Sequence, residues 1–170
     1  LFRKSLENPL VAYDMLKSHL PPEVLAAVDI TTIKLEKESF IEQNLSASIA
    51  DVLFSVKLQD NSDGFIFLLL EHQSQIDHFM AFRLLKYMVN ICDQYKQKNP
   101  KAKKLPFVYP LIIYNGTRKY NAPRNLWQLF NNEDLARQFW YGDYQLVNVH
   151  EIPDEEFRTI CYEKAHRIYG

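Results

Sequence analysis

The apolar positions of the first twenty residues recur at helical steps, Leu6, Leu10, Tyr13 and Leu16, with Leu20 extending the stripe. That spacing predicts a helix that buries this face. Pro21 and Pro22 end it, and Pro22-Glu23-Val24-Leu25 starts a short second helix. From Ile30 to Ile41 the period shortens to two, with Ile33 and Leu35 alternating with polar neighbours, as in a strand. Residues 51–58 read as a second strand, closed by a turn at Asp60-Asn61-Ser62-Asp63-Gly64. Residues 65–70 are apolar on both faces, the pattern of a central strand covered on each side. The two should pair as a hairpin.

A long amphipathic helix is predicted from Phe79 to Tyr95, with Phe82, Leu85, Val89 and Cys92 in its buried stripe. Residues 96–104 carry five lysines and no acid, and read as a basic linker. A further buried strand, residues 107–114, ends at an Asn115-Gly116 turn with one of the two at positive φ. Pro110 within it points to an edge position or a bulge. Leu146-Val147-Asn148-Val149 reads as a late strand, and Pro153-Asp154-Glu155-Glu156 as the start of a last helix. Helices before and after a hairpin-containing sheet predict an α/β fold with a mixed sheet, over one domain, 1–170. Leu1-Phe2-Arg3-Lys4 reads as the interior of a helix, as though residues precede it.

Composition changes this picture little. A chain of 170 residues that is 47% hydrophobic can bury a core, which argues against disorder. The net charge of −1 lacks the basic excess of many nucleic-acid binders, although a local patch can hide in a neutral total. Cys92 and Cys161 match no metal-ligand spacing and read as small core residues of a cytoplasmic protein. No apolar run is long enough to span a membrane. Most of Tyr120, Trp127, Phe130, Phe139, Trp140 and Tyr141 should be core, while exposed ones could stack on unpaired bases.

The candidate chemistry lies at the open end of the hairpin. Asp51 begins one strand and Glu71 ends the next, so antiparallel pairing brings their carboxylates together. Like charges so close repel unless a cation neutralises them, and a hard ion with oxygen ligands, Mg²⁺ or Mn²⁺, suits them best. Gln73 follows Glu71 by two and shares its face, while His72 points to the other. Two solvated acids at strand ends are the plain alternative.

These residues sit in longer strings: Leu20-Pro21, Ser39-Phe40-Ile41-Glu42, Ala50-Asp51-Val52-Leu53-Phe54, Leu70-Glu71-His72-Gln73-Ser74, Phe82-Arg83-Leu84-Leu85-Lys86-Tyr87, and Leu105-Pro106 through Tyr114-Asn115-Gly116. Asp51 with Glu71-His72-Gln73 resembles the Asp…(Asp/Glu)-x-Lys signature of the PD-(D/E)xK nuclease superfamily, with glutamine in place of lysine. More narrowly, nearly the whole chain resembles the Rpn/YhgA-like family of recombination-promoting nucleases, long labelled transposases. The resemblance implies a restriction-endonuclease-like core and a metal-dependent DNA endonuclease, linked to recombination or mobile elements. Asp51, Glu71 and the backbone carbonyl of His72 would hold Mg²⁺ or Mn²⁺, and Gln73 would orient water or phosphate without supplying charge.

The superfamily often adds an upstream acid, for which Glu42 comes first, then Glu38, with Glu7 third. Arg83 and Tyr87 share a helix face, and Arg83 would contact a phosphate or clamp a carboxylate, or else serve the fold as an ion pair. Lys101, Lys103 and Lys104 are candidates for DNA-backbone contacts or for a solvated loop. Competing readings are a nuclease-fold binding module without catalysis, a transposase proper, and a protein-interaction domain. A homodimer would suit an enzyme that cuts two strands.

Overall fold

The computed structural model describes residues 2–36, 49–71, 76–148, 151 and 153, with backbone alone at residues 2, 3, 49–51 and 71. Two compact units make up the chain, residues 1–129 and 130–170.

In the first unit the opening helical segment is split. Helix α1 covers Phe2–Ser5, and α2 covers Pro9–His19. Asn8 caps α2 by accepting the Leu10 N–H at 3.0 Å, and Pro9 at its first position needs no N–H partner. This restart resets the helical phase. Leu6, Leu16 and Leu20 are buried as expected, but Leu10 is 74% exposed and Ala12 takes its place in the core. Helix α3, Pro22–Ala27, follows the proline pair and leads directly into β1, Val28–Leu35.

Strands β2, Ile49–Leu58, and β3, Asp63–Glu71, form the expected hairpin. Asn61, at φ 64°, makes the tight turn between them. Neither Asn115 nor Gly116 has positive φ, so that turn expectation fails. Gly116 is required for another reason: a Cβ there would collide with the Tyr114 phenol. The β1–β2 register slips between Asp29 and Lys34. Thr32 mends the gap: its hydroxyl donates to the Asp29 carbonyl at 2.6 Å and accepts the Lys57 N–H at 2.8 Å.

Helix α4, Met80–Lys98, connects β3 to β4, Phe107–Tyr114, which lies parallel to β3. The sheet order β1-β2-β3-β4 makes it mixed and puts β4, with Pro110, at an edge among the described strands. Pro110 therefore costs no ladder bond on its free side. β3 is central, and Ile66 through Leu70 are buried.

Even-numbered residues of the hairpin, Val52, Phe54, Val56, Ile66 and Leu68, pack with Leu6, Ala12 and Leu16. The odd-numbered face, Leu53, Phe67 and Leu69, packs with Met80, Tyr87 and Ile91 of α4. The result is an α/β sandwich with helices on both faces of a mixed sheet. The α4 stripe differs from expectation in part: Phe82 and Val89 are half exposed, Cys92 packs against the core as expected, and Met80, Tyr87 and Ile91 are buried.

In the second unit, α5 spans Glu133–Tyr141 and is capped by Asn132, which accepts the Leu135 N–H at 3.0 Å. Phe139, Trp140 and Tyr141 are exposed, against the expectation that most late aromatics are core. Residues 146–148 are irregular, with Leu146 and Val147 exposed, so no strand forms over them. The expected final helix lies outside the described residues beyond Pro153. No helix of the described residues is long and apolar enough to cross a membrane.

Candidate active site

Backbone pairing defines the open end of the hairpin. Asp51 stands opposite Leu69, and Glu71 stands opposite Ile49. β2 thus begins two residues before Asp51, and the two acidic positions are diagonal rather than directly opposed. They still share the odd-numbered face, because pairing and the two-residue period both preserve it. Diagonal Cα atoms on an antiparallel pair lie roughly 7–8 Å apart, a spacing from which two carboxylates can reach one ion.

On the other side of β3, Tyr114 pairs with Glu71. One edge of the acidic pair is therefore the last residue of β4. The Tyr114 hydroxyl is buried and makes no hydrogen bond.

The covering helix runs antiparallel to β3. Near its end, Tyr95 donates to Asp63 at 2.8 Å and its ring lies 6.1 Å from that of Phe65. Further back, the Tyr87 ring is 5.3 Å from Phe67. One turn earlier, Arg83 lies further along the helix toward the open end of the hairpin. Its Nη1 donates to Asp77 Oδ2 at 2.8 Å, and these side chains are only 20% and 25% exposed. Asp77 also accepts the Phe79 N–H at 2.8 Å, while its carbonyl accepts that of Met80 at 3.2 Å. One carboxylate thus braces the turn before the helix and holds the arginine.

Of the residues singled out in the sequence, backbone pairing puts positions 51 and 71 in the odd-numbered set of the hairpin, and Tyr87 is buried on the helix that packs against that set. His72, Gln73, Glu38 and Glu42 lie outside the described residues. Glu7 is exposed in the turn between α1 and α2. Lys101, Lys103 and Lys104 are exposed after the C-terminal end of α4, the end away from Arg83. At about 1.5 Å per residue, the helix separates the two ends by roughly 25 Å. Lys104 is close enough to Asp60 in the hairpin turn to help hold that carboxyl below its ordinary value, after the stronger effect of the Ser62 hydrogen bonds.

Asp77 was missed because an acid just before a helix reads as a capping residue, and its pairing with Arg83 depends on the turn at 78–79. Tyr114 stands out in the sequence within Tyr114-Asn115-Gly116, read as a turn or a substrate contact, but its register partnership with Glu71 has no local signal. Among the described residues no three His, Cys, Asp or Glu side chains gather as a metal site. Cys92 is a free thiol whose pKa burial pushes up, the behaviour of a packing residue.

Against known proteins, residues 1–165 match the model of a family described as "Putative transposase, YhgA-like". The chain is 34% identical over 157 residues to the recombination-promoting nuclease RpnD of Escherichia coli O157:H7, covering 92% of this chain and 60% of RpnD. It is 36% identical over 157 residues to the recombination-promoting nuclease RpnA of Escherichia coli K12, covering 92% of this chain and 53% of RpnA. The same identity and length relate it to the inactive recombination-promoting nuclease-like protein RpnE of that strain, covering 92% of this chain and 52% of RpnE. The chain thus spans little more than half the length of these relatives. No solved structure matches it.

Proposed function

The chain belongs to the YhgA-like family of recombination-promoting nucleases, and on that footing we propose that it is a divalent-metal-dependent DNA endonuclease acting in recombination. The observation that carries the proposal is the placement of Asp51 and Glu71 as diagonal neighbours on one face of the hairpin, with Arg83 on the helix covering that face.

Asp51, Glu71 and the His72 carbonyl would hold Mg²⁺ or Mn²⁺. When bound, such an ion polarises a phosphodiester and acidifies a water molecule. The chain's own part is positioning. Asp77 holds Arg83 at the acidic end of α4, where a guanidinium balances carboxylate charge and can face a phosphate. Gln73 supplies an amide that can orient a water or a phosphate oxygen but adds no charge. Exposed Lys101, Lys103 and Lys104 would neutralise backbone phosphates about 25 Å from the acidic pair, roughly seven base pairs along a duplex.

A second reading is a nuclease-fold DNA-binding module without catalysis. Glutamine at position 73 favours it. Nicking of supercoiled plasmid in Mg²⁺ or Mn²⁺ separates the two readings. The parent chain should cut, and Asp51→Ala or Glu71→Ala should lose at least about a hundredfold while remaining folded, the scale of losing one charge-stabilising group. Equal rates in all three proteins would leave only the binding module. Sedimentation of the chain with and without DNA would test a homodimer.

A further inference from the structure

A groove of about 560 Å³ opens between the first turn of α4, β4 and the loop that follows β4. That volume is within the range of roughly 300–1,000 Å³ that small-ligand sites occupy. Met80 and Leu84 line it from the helix, Ile112 and Tyr114 from the strand, and Tyr120 and Arg124 from the loop. The Tyr114 and Tyr120 rings meet edge to face, 5.2 Å apart at 71°. Aromatic side chains in a groove wall give a planar group something to stack on.

The loop itself is basic. From Asn115 to Asn132 the chain carries Arg118, Lys119 and Arg124 and no acidic residue. All three cations are exposed. Aromatic rings interleaved with phosphate-binding cations are the ingredients of a single-strand nucleic-acid surface. The position of the groove adds to this. Tyr114, in its wall, is the register partner of Glu71, so the groove begins one strand away from the acidic pair.

We propose that this groove takes an unpaired nucleobase next to the phosphate held at the Asp51–Glu71 end, while Arg118, Lys119 and Arg124 track the strand's backbone. The inference rests on the nuclease reading for the phosphate's position, but it names a narrower substrate: DNA with a single-stranded or extruded nucleotide at the cut. Stacking supplies affinity without base identity, so the groove favours unpaired over paired DNA rather than one sequence over another.

Binding can be measured apart from cleavage. In EDTA, a single-stranded oligonucleotide carrying 2-aminopurine should bind at least tenfold more tightly than its blunt duplex, with quenched fluorescence. Tyr120→Ala should weaken single-strand binding roughly tenfold. Tyr120→Phe, which keeps the ring, should bind as the parent does. Arg124→Glu, at an exposed position, should weaken binding and flatten its salt dependence. Equal affinity for single strand and duplex, or parental binding by both folded Tyr120→Ala and Arg124→Glu, would overturn the groove proposal. Plasmid nicking that persists beside such a result keeps the nuclease reading. No nicking by the parent chain beside an intact quench removes the nuclease reading alone.

Discussion

The two ends of the β2–β3 hairpin carry similar residue types in opposite arrangements. At the turn end, Lys57 Nζ meets Asp63 Oδ1 at 2.6 Å and Tyr95 donates to the other oxygen at 2.8 Å. Acid, base and phenol satisfy one another there, with the Lys57 and Asp63 side chains 45% and 41% exposed. At the open end, two acidic positions share a face and the nearby arginine is held by a third acid, Asp77. Helix α4 reaches both ends, with Tyr95 at one and Arg83 at the other. A closed set of partners in water serves the fold. Two acidic positions on one strand pair, with a sheltered ion pair on the covering helix, are what the proposed metal site rests on.

This contrast can be broken at its ion pairs. Arg83→Met removes the cation of a pair that is mostly shielded from water, and should cost about 1–3 kcal/mol, between the values for exposed and buried pairs. Lys57→Met removes a half-exposed pair and should cost at most about 1 kcal/mol. Urea unfolding of both variants measures the difference, and equal costs would deny that burial distinguishes the two ends.

Acid titration sharpens the same point. The Lys57 ammonium, and after it the Tyr95 hydroxyl, hold the Asp63 carboxyl below its ordinary value. That contribution is complete above the unfolded carboxyl's value near 3.9 and fades as pH falls through the lower folded one. The Tyr95 phenol is raised, first by its hydrogen bond to Asp63, so its share is complete below about pH 10 and is lost above it. Unfolding followed against pH should show both slopes in the parent chain and a weaker acid slope in Lys57→Met. A parental acid slope in that variant would mean the pair does not carry it.

The smallest effect belongs to Tyr114. Its buried hydroxyl makes no hydrogen bond, so Tyr114→Phe should range from neutral to about 2 kcal/mol more stable. A destabilised variant would show that the hydroxyl is satisfied.

Much of the fold is legible along the chain because turns and prolines punctuate it. The Pro21-Pro22 stop, the hairpin around Asn61 and the covered run of β3 all follow from local chemistry. Helix phase does not. Phe82, Leu85, Val89 and Cys92 form as regular an apolar stripe as Met80, Leu84, Tyr87 and Ile91. Only the sheet beneath α4, through Phe67 and Leu69, selects which stripe is buried. Leu10 fails for a related reason, since the Asn8 cap restarts the helix and no periodicity count sees the break. At the site, the acidic positions follow from strand pairing, whereas Asp77 and the Tyr114 neighbour need the tertiary fold.

The sheet also has an order of assembly written into its connections. β2 and β3 are joined by a tight turn, so their pairing closes a small loop at little entropic cost. β4 reaches β3 only after α4 and the lysine loop have been traversed. The hairpin, and with it the pairing of positions 51 and 71, can therefore form while the parallel strand is still unattached. The groove wall beside Glu71 is completed only when that last strand docks.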